Sequence, residues 1–118
     1  MEDRHRFTSD ELARQSLMTK LYLDHERATP AGWERVFTAR ECIERLQRGD
    51  VEVISLGHDL GPPEAGDGDE VAKWIEAQAF EGTLKRLAWA VHSANPAGRN
   101  NIEAAMNAAD RFWISRPE

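Results

Sequence analysis

The chain has 118 residues, 41% of them apolar and 8% aromatic, which suits one compact domain with a modest core. Its net charge of −6 at pH 7 and pI near 5.2 work against an extended nucleic-acid footprint, because such a surface needs Lys and Arg to neutralise phosphates. The single cysteine, Cys42, excludes an intrachain disulfide and a thiolate zinc site, and the absence of a signal peptide or membrane-length apolar run predicts a soluble, cytoplasmic protein without a membrane partner.

Residues 1–17 read as an N-terminal extension. Thr8 and Glu11 offer a capping box ahead of Leu12, Ala13 and Leu17, which predicts a short helix that either packs on the domain or is a dispensable leader. The α/β domain is expected over 18–118. Its first strand is about Lys20 to Leu23, apolar enough to be buried on both faces. After the loop Ala28 to Gly32, Trp33 to Phe37 can form a short second strand. Thr38 and Glu41 make another capping box, and Ala39, Cys42, Ile43 and Leu46 at helical spacing predict a helix ending near Arg48.

The third strand is Val51 to Leu56, followed by a glycine- and proline-rich loop, 57–68. A helix opening on Asp67, Asp69 and Glu70 places acidic residues at its N-terminus and stops at Gly82. Leu87 to Val91 is the fourth strand, and after Asn95-Pro96 a helix carries Ile102, Ala105, Met106 and Ala109 at core spacing. The aromatic tail, 111–117, reads as a fifth strand that Pro117 closes to further pairing. This alternation implies right-handed βαβ crossovers and a parallel three-layer sheet.

Three strands end in polar residues: Asp24-His25-Glu26-Arg27, Gly57-His58-Asp59 and His92-Ser93-Ala94-Asn95. Open α/β sheets bind ligands beyond their strand C-termini, so these clusters are expected to converge. Asp24, Glu26 and Asp59 could hold Mg²⁺ together with a phosphate, or simply cap loops and pair with Arg27 and Arg35. His58 and His92 suit proton exchange near neutral pH; the direction of His25 is open. Ser93, Asn95, Arg99 and Asn100 surround the turn into the last helix, whose unpaired N–H groups favour an anion, and Arg27 can grip a phosphate with its planar fork. The plainer reading makes Ser93 and Asn95 turn and cap residues. Trp33, beside a Pro-Gly loop, is the tryptophan that could stack on a base, while Trp74, Trp89 and Trp113 read as core.

The segments Leu21-Tyr22-Leu23-Asp24-x-Glu26-Arg27-x-Thr29-Pro30, Ile54-Ser55-Leu56-x-His58-Asp59-Leu60-Gly61, Val71-Ala72-Lys73-Trp74-Ile75 and Val91-His92-Ser93-Ala94-Asn95-Pro96-x-Gly98 together resemble the cyclic-phosphate processing receiver-like domain family. The likeness spans Met18 to the C-terminus. It implies a flavodoxin-like sheet of order 2-1-3-4-5, as in response-regulator receivers, and a role in processing a cyclic phosphate on a nucleotide or RNA end. Carried over by position, the resemblance implies Asp24, Glu26, Arg27, His58, Asp59, His92, Ser93 and Asn95 as the site; on the reading of the residues above, His58, Asp59 and His92 would be catalytic, with Asp24, Glu26 and Asp59 as the Mg²⁺ candidates. Arg27 and the turn bearing Ser93 and Asn95, with Arg99 beside it, would hold the substrate. The alternative implied is a silent module that binds a cyclic nucleotide or a protein partner. This chain departs from the family at two positions, having His25 and Gly57 where aspartates are usual. Position 57 also matches the receiver's phosphoacceptor, so phosphotransfer from a histidine kinase is not expected. Ser93 matches the receiver's hydroxyl residue and Arg116-Pro117 its Lys-Pro. The final receiver helix is missing, which would leave one sheet face for the N-terminal helix or a second subunit of a homodimer to cover.

Overall fold

In the computed structural model, which describes residues 19–115, the apolar run after Thr19 forms β1 (Thr19–Leu23) and is paired along both edges. β2 (Glu34–Val36) lies on one side, β3 (Val51–Leu56) on the other and β4 (Ala88–Val91) beyond it, all parallel, in the order 2-1-3-4. Central position explains composition: Leu21, Leu23, Ile54 and Leu56 are completely buried.

The helices begin and stop where local chemistry directs. In front of α1 (Ala39–Leu46), Thr38 Oγ1 accepts from the Glu41 N–H at 3.0 Å and Glu41 returns the bond to the Phe37 N–H at 2.8 Å. Asp67 caps α2 (Gly68–Glu81) by accepting from the Glu70 N–H at 2.9 Å, a contact of about 1 kcal/mol. Gly82 closes that helix in the left-handed conformation, φ 79°, which costs glycine little. The third helix, α3 (Pro96–Ser115), begins on proline, whose missing N–H is not needed there.

Ala39, Cys42 and Leu46 of α1, Val71, Ala72, Ile75 and Ala79 of α2, and Ile102, Ala105, Met106 and Ala109 of α3 join the buried leucines and isoleucines of the sheet in one core. α2 packs on α3 and also meets α1. The strand register places Tyr22 level with Ser55, and Ser55 level with Ala90, on the opposite face from Leu21, Leu23, Ile54 and Leu56. Lys20, Ala88 and Ala90 on that opposite face are exposed. Among the described residues the helices therefore cover one face, and the third layer expected from the sequence is not formed by them.

The fifth strand, and with it the order 2-1-3-4-5, is corrected. Residues 111–115 continue α3 instead of starting a new element. No helix breaker intervenes, and the aromatic residues find partners along the helix. Phe112 meets Phe80 edge-to-face at 5.2 Å, and Trp113 Nε1 donates to the Leu84 carbonyl at 2.8 Å. One turn earlier, Asp110 accepts from Trp89 Nε1 at 3.0 Å. Packing and continuous helical bonding outweigh the β preference of Phe, Trp and Ile. As the loop read over Ala28 to Gly32 implies, β1 reaches the parallel β2 without an intervening helix. The N-terminal helix expected over 1–17 and the Arg116-Pro117 pair lie outside the described residues. No helix among the described residues is long and apolar enough to cross a membrane.

Candidate functional site

Beyond the strand C-termini lies a cleft of about 200 Å³, walled by residues 24–27 after β1, 57–59 after β3 and 92–95 after β4. The three polar clusters singled out in the sequence thus converge.

Asp24 is its most constrained member. It is buried, and its Oδ1 accepts from the backbone N–H groups of Glu26 and Arg27, both at 2.7 Å. Its Oδ2 faces His92 Nε2 at 2.8 Å. Burial works against the charge, but the Arg27 and Glu26 N–H groups and His92 outweigh it and hold the carboxyl below its ordinary range. Burial pushes the imidazole of His92 down as well, against the pull of Asp24. The two shifts agree on an ionised Asp24 beside a neutral His92 near pH 7.

A carboxylate only accepts, so His92 Nε2 carries the ring proton and donates it. Nδ1 must then accept, and it faces the Ser55 hydroxyl at 2.8 Å. Tyr22 stacks parallel to the His92 ring, 4.4 Å away. Asp24, His92 and Ser55 are the residue types of a nucleophilic triad, yet Ser55 is buried within β3 and lies off the cleft wall, behind the imidazole. Its hydroxyl gives His92 Nδ1 a donor and is not presented to a substrate.

Gly57 makes this packing possible. A Cβ there would stand 2.8 Å from the Leu23 carbonyl oxygen, 2.9 Å from His92 Nε2 and 3.2 Å from Asp24 Oδ2. The volume that a side chain at position 57 would occupy is taken by the Asp24–His92 pair and the Leu23 carbonyl.

On the other wall, Asp59 ties two histidines. Its carbonyl oxygen is 3.0 Å from His25 Nδ1, and its Oδ1 is 3.3 Å from His58 Nδ1. The His58 ring rests against Gly98 in the first turn of α3, where a Cβ would come within 2.4 Å of the ring. His25 is among the residues that line the cleft, with its ring held between the Asp59 carbonyl and Gly61.

At the β4 end, Ser93 Oγ accepts from the Asn95 N–H and Asn95 Oδ1 accepts from the Gly98 N–H, each at 3.1 Å. Ser93 and Asn95 therefore shape the turn while also lining the cleft. Arg27 lines it too, half exposed, with Nε 3.9 Å from Asp24 Oδ2. Arg99 is drawn aside, donating to the Ser93 carbonyl and to Glu103, and is not on the wall. Trp33 meets Tyr22 edge-on at 6.1 Å and is likewise off the wall.

The carboxylates considered for Mg²⁺ do not share a ligand set in this arrangement. Asp24 has both oxygens engaged, while the side chains of Glu26 and Asp59 are 80% and 75% exposed. Among the described residues no group of three His, Cys, Asp or Glu is placed to hold a metal ion.

Ser55 and Tyr22 were missed by the sequence reading. A serine in the middle of an apolar strand was the available signal, because a buried hydroxyl needs a partner.

The family profile of the cyclic-phosphate processing receiver domain matches residues 19–108. No curated protein matches the chain. No solved structure matches it either.

Proposed function

The chain belongs to the cyclic-phosphate processing receiver domain family, and from that premise we propose that its cleft hydrolyses a cyclic phosphodiester on a small nucleotide. Water attacks phosphorus, one ring P–O bond breaks, and the freed oxygen takes a proton, leaving a phosphomonoester. The observation that supports this is the convergence, in one cleft, of three imidazoles with a cation and a helix N-terminus.

Each wall has a task. Arg27 and the 93–95 turn hold the anionic phosphate through charge and N–H groups. His58, oriented by Asp59, exchanges protons with the water or the leaving oxygen; such a group contributes about 10²–10⁴-fold. His92 is held by Asp24 and Ser55, and its Nε2–H, given to the Asp24 carboxylate, keeps that buried charge fixed beside the cleft. Glu26, Asp59 and Asp67 ring the entrance with negative charge, which favours a single phosphodiester over the end of a long RNA.

A silent binding module is the second reading. It is favoured by the engagement of both His92 ring nitrogens, which leaves that imidazole no free position for proton transfer. Phosphorus NMR of the protein with 2′,3′-cyclic and 3′,5′-cyclic nucleotides, with and without added Mg²⁺, separates the two. Ring opening that disappears in His58→Gln is the expected result. Binding without turnover, unaffected by that substitution, would instead establish the module.

A further inference from the structure

The hydrolytic reading needs two proton carriers, one to take a proton from water and one to give a proton to the leaving oxygen. His92 does not qualify while both its nitrogens are bonded. We propose that His25 is the second carrier and works with His58 across Asp59; this rests on the hydrolase reading above.

Tautomer chemistry carries the argument. The Asp59 carbonyl oxygen can only accept, so His25 Nδ1 at 3.0 Å must bear the proton that joins them. The Asp59 carboxylate imposes the same on His58 Nδ1 at 3.3 Å. In both neutral rings the remaining nitrogen, Nε2, then carries an open lone pair. Glu26 stands 4.0 Å from His25 Nε2 and Asp67 stands 3.9 Å from His58 Nε2, each beyond hydrogen-bond reach. Asp59 thus holds two imidazoles in the same tautomer, and both residues line the cleft.

The step balances with one added proton on the pair. The neutral ring takes a proton from water at Nε2 as the oxygen bonds to phosphorus, and the protonated ring gives its Nε2–H to the ring oxygen as the P–O bond breaks. The pair ends with the same number of protons and with its roles exchanged, and solvent resets it.

The experiment has two arms. Long-range proton–nitrogen NMR of the intact protein at pH 8 should show His25 and His58 protonated at Nδ1 and His92 at Nε2. His25→Gln, of similar size, should lower kcat on the cyclic nucleotide that the wild type opens by about 10²-fold with KM little changed. An Nε2-protonated His25, or a His25→Gln protein as fast as the wild type, overturns the proposal while leaving the hydrolase reading intact. A wild type that opens no cyclic phosphate overturns that reading itself, and the proposal with it.

Discussion

The end of β4 and the end of β3 each bring a histidine to the same cleft under opposite conditions. His92 is enclosed, with a side-chain exposure of 14%, both nitrogens bonded, and an aromatic ring stacked on one face. His58, and His25 with it, hangs on a loop by one nitrogen from Asp59, with the other beyond hydrogen-bond reach of the nearest carboxylate. An imidazole that is bonded at both nitrogens is a fixed dipole, whereas one tied at a single nitrogen can trade protons. The cleft therefore has an orienting wall and an exchanging wall.

The largest effect should come from filling the space that the orienting wall uses. Gly57→Asp introduces the aspartate that the family resemblance led one to expect, but its Cβ would meet the Leu23 backbone and the His92 ring, and its carboxylate would join the buried charge of Asp24. The expected cost is about 2–3 kcal/mol, read as a lower urea midpoint, since overpacking alone costs about 1–3 kcal/mol. An unchanged midpoint, with the Asp24–His92 bond still visible by NMR, would show that the wall is looser than drawn.

Next in size is a dependence on pH that only this wall should show. Because the folded protein holds His92 below its ordinary value of 6.5, the unfolded chain binds the proton first on acidification. The stability that His92 contributes is complete above about 6.5 and is lost as pH falls through its lower, folded value. Asp24 adds a second loss below 3.8, for the same reason of sign. His92→Gln should flatten urea midpoints between pH 7.5 and 5, a range framed by the unperturbed histidine value of about 6.5. If the variant and the wild type fall in parallel, another group is responsible.

The exchanging wall should respond in rate more than in stability. In Gly98→Ala the new methyl displaces the His58 ring, while alanine in a helix regains about 1 kcal/mol over glycine. Turnover of the cyclic nucleotide should drop by about tenfold or more, toward the 10²-fold contribution of a lost proton carrier, with melting little moved. A variant that melts early but turns over normally would reverse the assignment of the two walls.

The contrast also marks what the sequence could convey. Strand ends and helix caps are local: Thr38 with Glu41, Asp67 with Glu70, and the apolar β3 are each set by neighbours within a few residues, and they were legible. The convergence of three polar clusters followed from the alternation of elements, and the family from the motifs at the strand ends. Contacts across the chain were not legible. The Trp113 bond to Leu84 that keeps 111–115 helical spans 29 residues, and the Ser55–His92 bond spans 37. Nothing adjacent to Phe112 or Ser55 announces those partners. Gly57 looked like a loss because the resemblance led to an aspartate being expected there, and only the placement of His92 shows what its missing side chain makes room for.

The smallest effect lies at the rim. Glu26 is 80% exposed, and its carboxylate touches the cleft only through screened charge. Its influence should be invisible to a cyclic mononucleotide and felt by a longer polyanion. With an oligonucleotide ending in a 2′,3′-cyclic phosphate, Glu26→Gln should raise kcat/KM by about two- to threefold at low salt, in keeping with the small worth of exposed charges. The gain should vanish near 1 M salt, where the screening length falls to about 3 Å. An oligonucleotide that binds more tightly than the mononucleotide, and loses affinity as salt is added, would mean that basic groups outweigh this acidic rim and that an RNA end is the substrate.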